Sequence, residues 1–317
     1  MAGPYNLPLF ERPKSPLAEM LTELAAERIY LGASSWKYEG WLGQIYSPER
    51  YFVRGKFSQR KFEQECLAEY AETFPIVCGD FSFYQFPTAE YWHKLFAGTP
   101  RELLFALKAP EMVTVRTWPS HDRYGDKAGL DNESFLDAEL FRSSFLQLLE
   151  PYRERVAVLI FEFGAFHRKQ FGSVDEFVRA LSKFLDALPA GYRYAVEIRN
   201  REFFDTPYFE CLKQRNVAHV FSSWTRMPPL DEQMANSEAY TADFFVARAL
   251  LRPGRSYEEA VAKFQPYAHI QEEYPEAREA LRALIQRAKR ERKIAYIFAN
   301  NRLEGNAPGT LQSVAAE

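Results

Sequence analysis

Two periods alternate along this chain. Short apolar runs rich in β-branched and aromatic residues are separated by longer stretches in which apolar positions return every three or four residues. The short runs lie at 29–34, 76–82, 103–109, 156–163, 193–199, 217–222, 244–249 and 294–300. Several are apolar almost throughout, as in the VAVLIFEF segment, which is the pattern of strands buried on both faces of a parallel sheet. Helices are expected between them at 59–74, 140–149, 174–188, 208–215, 257–267 and 276–292. In the last of these, Ala277, Leu281, Leu284, Ile285 and Ala288 make one apolar stripe opposite a charged, solvated face. Eight strands alternating with crossover helices predict a single TIM-type (β/α)8 barrel of the α/β class over 29–317. Residues 1–28 would form an extended N-terminal arm and a leading helix.

With 317 residues, 47% hydrophobic and 16% aromatic, the chain can bury a large core. No fixed-period repeat or low-complexity linker divides it. Forty basic against 43 acidic residues give a net charge of -3, so no global field favours nucleic acid or an anionic membrane. Three dispersed cysteines, Cys66, Cys78 and Cys211, point to a reducing compartment, and a cytoplasmic location is expected. No apolar run is long enough for a membrane span, so no membrane partner is expected. A monomer or a homodimer would fit.

Two connections exceed ordinary loop length, 36–58 after the first strand and 110–139 after the third. Both follow strand C-termini, the end at which barrels carry function. Polar residues also gather at those ends: Ser34, Ser35 and Trp36; Asp80, Ser82 and Tyr84; Lys108; Glu162; Glu197 and Arg199; Ser222 and Ser223; Arg248; Asn300 and Asn301. Period two places Glu197 and Arg199 on one face, with Val196 and Ile198 on the other. A buried acid and base of this kind are paired or used, either as catalytic groups or as a structural ion pair closing the barrel mouth. Arg252, Gly254 and Arg255 after strand seven, with Asn306 in the loop after strand eight, suggest an anion clamp, although Asn306 also suits a helix cap. Trp36 and Trp41 would wall the pocket. The five histidines are scattered and show no paired ligand spacing, so no cofactor is predicted; Asp80, Glu162 and Glu197 leave a divalent metal possible.

Several segments in order resemble the YecE-like proteins, domain-of-unknown-function family 72. They are Gly32-Ala33-Ser34-Ser35-Trp36-Lys37-Tyr38 with Trp41 and Tyr46, Phe81-Ser82-Phe83-Tyr84 with Pro87, Lys108-Ala109-Pro110, Glu197-Ile198-Arg199, and Asn300-Asn301. The resemblance implies one eightfold barrel with its pocket at the strand C-termini and supplies no reaction. This chain departs from the family pattern in four places, one of them the Gln-Pro-Pro region after strand four, which is Glu162-Phe163-Gly164-Ala165 here. Val-Glu-x-Asn-Ser-Thr-Phe-Tyr is Val77-Cys78-Gly79-Asp80-Phe81-Ser82-Phe83-Tyr84 here, the usual Thr-His after strand three is Thr114-Val115, and Arg248 is followed by Ala249 and Leu250 where a histidine is usual. A mechanism needing those histidines cannot operate in this chain.

The sequence therefore favours an enzyme acting on a small phosphorylated or carboxylated metabolite by general acid/base chemistry. Glu197, Arg199 and Lys108 would be catalytic. Trp36, Trp41, Asp80, Tyr84, Glu162, Arg248, Arg252, Asn300, Asn301 and Asn306 would bind substrate. A metal-dependent phosphoester hydrolase of nuclease type is an alternative, as is a non-catalytic barrel binding a small ligand or nucleic acid; nucleic acid is not favoured by the charge balance.

Overall fold

A computed structural model describes residues 15–316. The extended arm expected at the start of the chain falls mostly outside that range. Its leading helix is present as Pro16–Ala26, capped by Ser15, whose side chain accepts from the Ala18 amide.

The eight expected strands form one closed parallel barrel. They are β1 Ile29–Ala33, β2 Ile76–Gly79, β3 Leu104–Lys108, β4 Val156–Glu162, β5 Tyr194–Glu197, β6 Ala218–Ser223, β7 Phe244–Ala249 and β8 Ile294–Ala299. Each pairs with its neighbours in sequence, and β1 closes against β8 with Gly32 opposite Phe298. Most strands are shorter than the apolar runs, whereas β7 matches its run and β6 is displaced by one residue. Arg199, expected on a strand, lies two residues beyond β5.

Alternation sorts every strand into two cores. One parity of β1 to β8, including Leu31, Val77, Phe105, Phe161, Val196, Phe221, Phe245 and Ile297, packs outward against the helices. The other parity, including Cys78, Ala106, Ile160, Ala195, Val220, Val246 and Phe298, fills the barrel. Each large apolar side chain so buried contributes about 1.5–3 kcal/mol. The inward column then changes character at its C-terminal end, because the next inward residue on successive strands is polar.

The helices follow the sequence periodicity with adjusted ends. Val174–Asp186 starts at Ser173, whose hydroxyl accepts from the Glu176 amide, and Tyr257–Phe264 starts with a full Ser256–Glu259 capping box. The region expected as one helix at 140–149 is a continuous helical run interrupted by a π-helical stretch, Arg142–Leu146. Within the first long loop, Phe52–Val53 and Lys56–Phe57 form a small antiparallel hairpin that the sequence pattern did not announce.

Barrel closure is tightest at β1. A Cβ on Gly32 would lie 2.1 Å from the Ile76 carbonyl oxygen, and a backbone atom in a ladder has little room to yield. Gly32→Ala should therefore cost at least about 2 kcal/mol, read as a lower urea midpoint at unchanged slope. An unaltered midpoint would show that β1 and β2 can separate freely.

Candidate functional site

At the C-terminal rim the inward column brings ionised side chains together. Glu162 on β4 and Glu197 on β5 are register partners, so two carboxylates stand side by side inside the barrel. Glu197 is completely buried and Glu162 nearly so. Such a pair persists only if cations meet it. Three do.

Arg248 on β7 reaches across to both carboxylates, lying 2.7 Å from Glu162 Oε2 and in direct contact with Glu197 Oε2. Arg199 Nη2 is 2.8 Å from Glu162 Oε1 and 3.4 Å from Glu197 Oε1. Lys108 Nζ on β3 lies 3.2 Å from Glu162 Oε2 and 2.6 Å from Asp80 Oδ1. Ser222 Oγ donates to Glu197 Oε1 at 3.0 Å. The Arg199 guanidinium lies over the Trp224 ring at 3.8 Å, and Lys108 Nζ over Phe83 at 3.7 Å, so both heads are fixed by aromatic faces as well as by charge.

Burial alone would push the Glu162 carboxyl up. Arg199, Lys108 and Arg248 outweigh it and hold the group well below its ordinary range. The cations respond in kind. Burial works against charge on Arg248 and on Lys108, yet Glu197 and Glu162 raise Arg248, and Glu162 and Asp80 raise Lys108. Glu162, Lys108 and Arg248 are therefore charged at neutral pH.

Above this floor opens a cleft of ≈ 420 Å³. Lys108, Glu162, Arg199, Arg248 and Asn300 face it from the strand ends, with Asp80 and Tyr84 from the loop after β2. Glu111, Arg123 and Tyr124 enter from the long third loop, Trp224 from the loop after β6, Tyr257 from the start of helix Tyr257–Phe264, and Arg302 from the segment after β8. Within the floor, Ser34 Oγ, Arg199 Nε and Arg248 Nε are buried without a hydrogen-bond partner. A separate concavity between helices Pro16–Ala26 and Pro275–Glu291 holds none of the converging residues.

The structure moves several expected residues away from the cleft. Trp41 is fully buried, stacked with Tyr46 at 6.1 Å, and belongs to the outer core. Trp36 stacks on Phe81 at 4.4 Å and packs over Gly79 instead of walling the pocket. Asn301 is buried with its Oδ1 accepting from the Ala307 amide. Asn306 caps the last helix, Ala307–Ala315, through Gly309 and ties it to Gln44 and the Tyr267 carbonyl. These asparagines serve the backbone of a turn, which uses the same residue types as a ligand site. Arg252 and Arg255 sit apart, beside a shallow surface hollow, and both engage Glu272, at 2.6 and 2.9 Å. Glu272 takes one nitrogen of each guanidinium, and Arg252 Nη2 donates to the Glu272 and Glu273 carbonyls. Glu197 lies one layer beneath the cleft wall, out of reach of a ligand, because Arg248, Arg199 and Ser222 surround its oxygens.

Sequence reading missed Glu111, Arg123, Tyr124, Tyr257 and Arg302. The available signal was the length of the loop after β3, which arrives over the mouth of the barrel. Among the described residues no group of three or more His, Cys, Asp and Glu side chains is placed to hold a metal ion, and no helix is long and apolar enough to cross a membrane. Both oxygens of Glu162 are already taken by cations of the chain.

Fold and site define a (β/α)8 barrel with a charged cleft at the C-terminal rim of its strands. The chain belongs to the family described as "Protein of unknown function DUF72", which matches residues 30–317. UPF0759 protein YunF of Bacillus subtilis (strain 168) is 29% identical over 184 residues, 57% of this chain; the match spans 54%, about half, of that relative's own length. Crystal structures of two DUF72 family proteins share the fold. The one from Thermotoga maritima MSB8 is 23% identical, with a TM-score of 0.58 over 90% of this chain and 97% of its own. The one from Enterococcus faecalis V583 is 16% identical, with a TM-score of 0.60 over 91% and 96%.

Two predictions follow from the floor. Glu197→Ala strands Arg248 with half of its partners and leaves Ser222 Oγ without an acceptor, so chemical denaturation should show a loss of about 3 kcal/mol. No loss would mean that the pair contributes nothing to stability. Because the folded Glu162 carboxyl lies below its unfolded value near 4.5, its stabilisation is fully present above that pH and is lost as pH falls below it. Melting temperatures should drop below about pH 4.5 in the native protein, and less steeply in Glu162→Gln.

Proposed function

We propose that this chain is an enzyme that binds a small phosphorylated or carboxylated metabolite in the cleft and moves a proton on it. One observation carries the reading. Lys108, Arg199 and Arg248 face two buried carboxylates, Glu162 and Glu197, so the floor holds one positive charge more than negative. Asp80, with its side chain 47% exposed, offsets that charge only from the solvent side. A ligand anion can take the place of Asp80 on Lys108 and meet the edge of Arg199, whose plane Trp224 fixes. Guanidinium and ammonium groups of this kind match carboxylate and phosphate oxygens.

Unsatisfied donors support the same reading. A buried polar atom without a partner is costly, and Ser34 Oγ, Arg199 Nε and Arg248 Nε gather where a ligand would lie. Glu162 and Glu197 then act by position: they hold the three cations rigid and charged, so that negative charge developing on the ligand meets dipoles and ions already in place. Asn300 and Tyr84 offer neutral polar contacts at the rim. The cleft is of the size of a small metabolite site.

Isothermal titration with inorganic phosphate, sulfate and citrate tests the binding half. The native protein should bind at least one of them, and Arg199→Ala should weaken that affinity at least tenfold, about 1.4 kcal/mol. NMR of a panel of phosphorylated and carboxylated metabolites in D2O tests the chemical half: native protein should exchange or convert a carbon-bound proton of one of them, and Lys108→Met should not. Equal affinity in Arg199→Ala, or anion binding without any proton exchange or conversion across the panel, would overturn the respective half.

A further inference from the structure

Glu162 and Glu197 are saturated by cations, and Asp80 rests on Lys108 at 2.6 Å. The remaining carboxyl in the cleft wall, Glu111, is placed differently. It begins the short helical turn Glu111–Thr114 immediately after β3, three residues beyond Lys108, with its amide donating to the Phe83 carbonyl at 2.7 Å. Its side chain is buried, and its hydrogen bond comes from a neutral group, the Tyr124 hydroxyl, at 2.9 Å. Tyr124 stands on the loop segment Asp122–Lys127, which covers the mouth. Its neighbour Arg123 lies over the Tyr84 ring at 4.5 Å. Glu111 and Tyr124 thus join the floor of the cleft to its cover.

We propose that Glu111, oriented by Tyr124, is the proton-exchanging residue of the cleft. This rests on the reading of the cleft as an anion site. Four groups face Glu111: Tyr124 and Arg123 from the cover, Lys108 from β3 and Asp80 from the loop after β2. Burial pushes its carboxyl above the ordinary value, while Tyr124, Arg123 and Lys108 draw it partly back. Burial thus lets this carboxyl hold its proton more tightly than an exposed one, with no ionic partner in contact to fix it as a carboxylate, which suits a group that exchanges a proton. In the step assigned to it, a Glu111 carboxylate oxygen takes a proton from the ligand atom next to the anchored group. The electron pair of the broken bond stays on the ligand, where Lys108 offsets the charge. The same carboxylic acid then returns the proton to that ligand or to a neighbouring atom, so no other reactant is needed. Tyr124 touches Glu111 and is a positioning residue.

A bound anion also sets a measurable linkage. Negative charge arriving beside Glu111 favours its protonated form, so binding should draw in protons. Sulfate is a suitable probe because it does not itself titrate near neutrality. Proton uptake on sulfate binding is read by calorimetry across a pH series in buffers of different ionisation enthalpy. The native full-length protein should take up protons, and Glu111→Gln, which keeps an acceptor for Tyr124, should bind sulfate while losing at least roughly half of that uptake. Tyr124→Phe removes a hydrogen bond that favours the ionised form, so its uptake maximum should move to higher pH. Uptake unchanged in Glu111→Gln, or a maximum unmoved in Tyr124→Phe, would overturn the assignment even though sulfate binds. Absence of sulfate binding to the native protein would overturn the assignment too, but by removing the anion site beneath it.

Discussion

Two glutamates standing in register inside an apolar barrel are the constraint around which the rim is built. Glu162 and Glu197 are partners on adjacent parallel strands, so neither can turn away without reversing the inward–outward alternation of its strand. Like charges this close, out of water, are untenable alone. Cations from β3, β7 and the end of β5 answer them, and each of those strands must then keep its own register for its cation to arrive. Electrostatics at the rim and pairing along the ladders therefore specify each other.

That mutual specification shapes the cleft. The cations are more numerous than the fully buried acids, and the carboxylates that hold them charged lie beneath or beside them. What faces solvent is a rigid array of donors backed by aromatic rings, with Asp80 as the loosely held counterion. The charges of such an array are fixed by the fold itself.

The third loop adds what the strands lack. Strand ends supply charged groups held by close ionic partners, whereas Glu111 is hydrogen-bonded by the Tyr124 hydroxyl. Floor and wall arise from different parts of the same βα unit: Lys108 ends the strand, and Glu111 opens the turn that follows it.

Much of this was legible in one dimension. Strand count and parallel architecture follow from near-continuous apolar runs separated by helical periods, and the change from apolar to polar at each strand's C-terminal end is a local property of Val158-Leu159-Ile160-Phe161-Glu162 and its counterparts. The convergence of Lys108, Glu162, Glu197, Arg199 and Arg248 followed from that change once the strands were taken as a barrel. Depth was not legible. Glu197 and Arg199 look equivalent along the chain, yet Glu197 ends β5 inside the barrel while Arg199 lies two residues beyond the strand and reaches the cleft. Nor could composition separate Asn300, which lines the mouth while its side chain caps the turn Asn301–Glu304 through the Arg302 amide, from Asn301 and Asn306, which serve turn and cap alone, or Trp36 and Trp41 in packing from Trp224 at the cleft, because the same side chains serve both purposes. Glu111 and Tyr124 meet only because a long irregular loop folds back over the barrel, and no periodicity records the path of such a loop. Sequence alone thus determined which strand ends carry charge; tertiary structure decided which charges neutralise one another and which remain open to a ligand, because that depends on distances across the barrel between residues far apart in the chain.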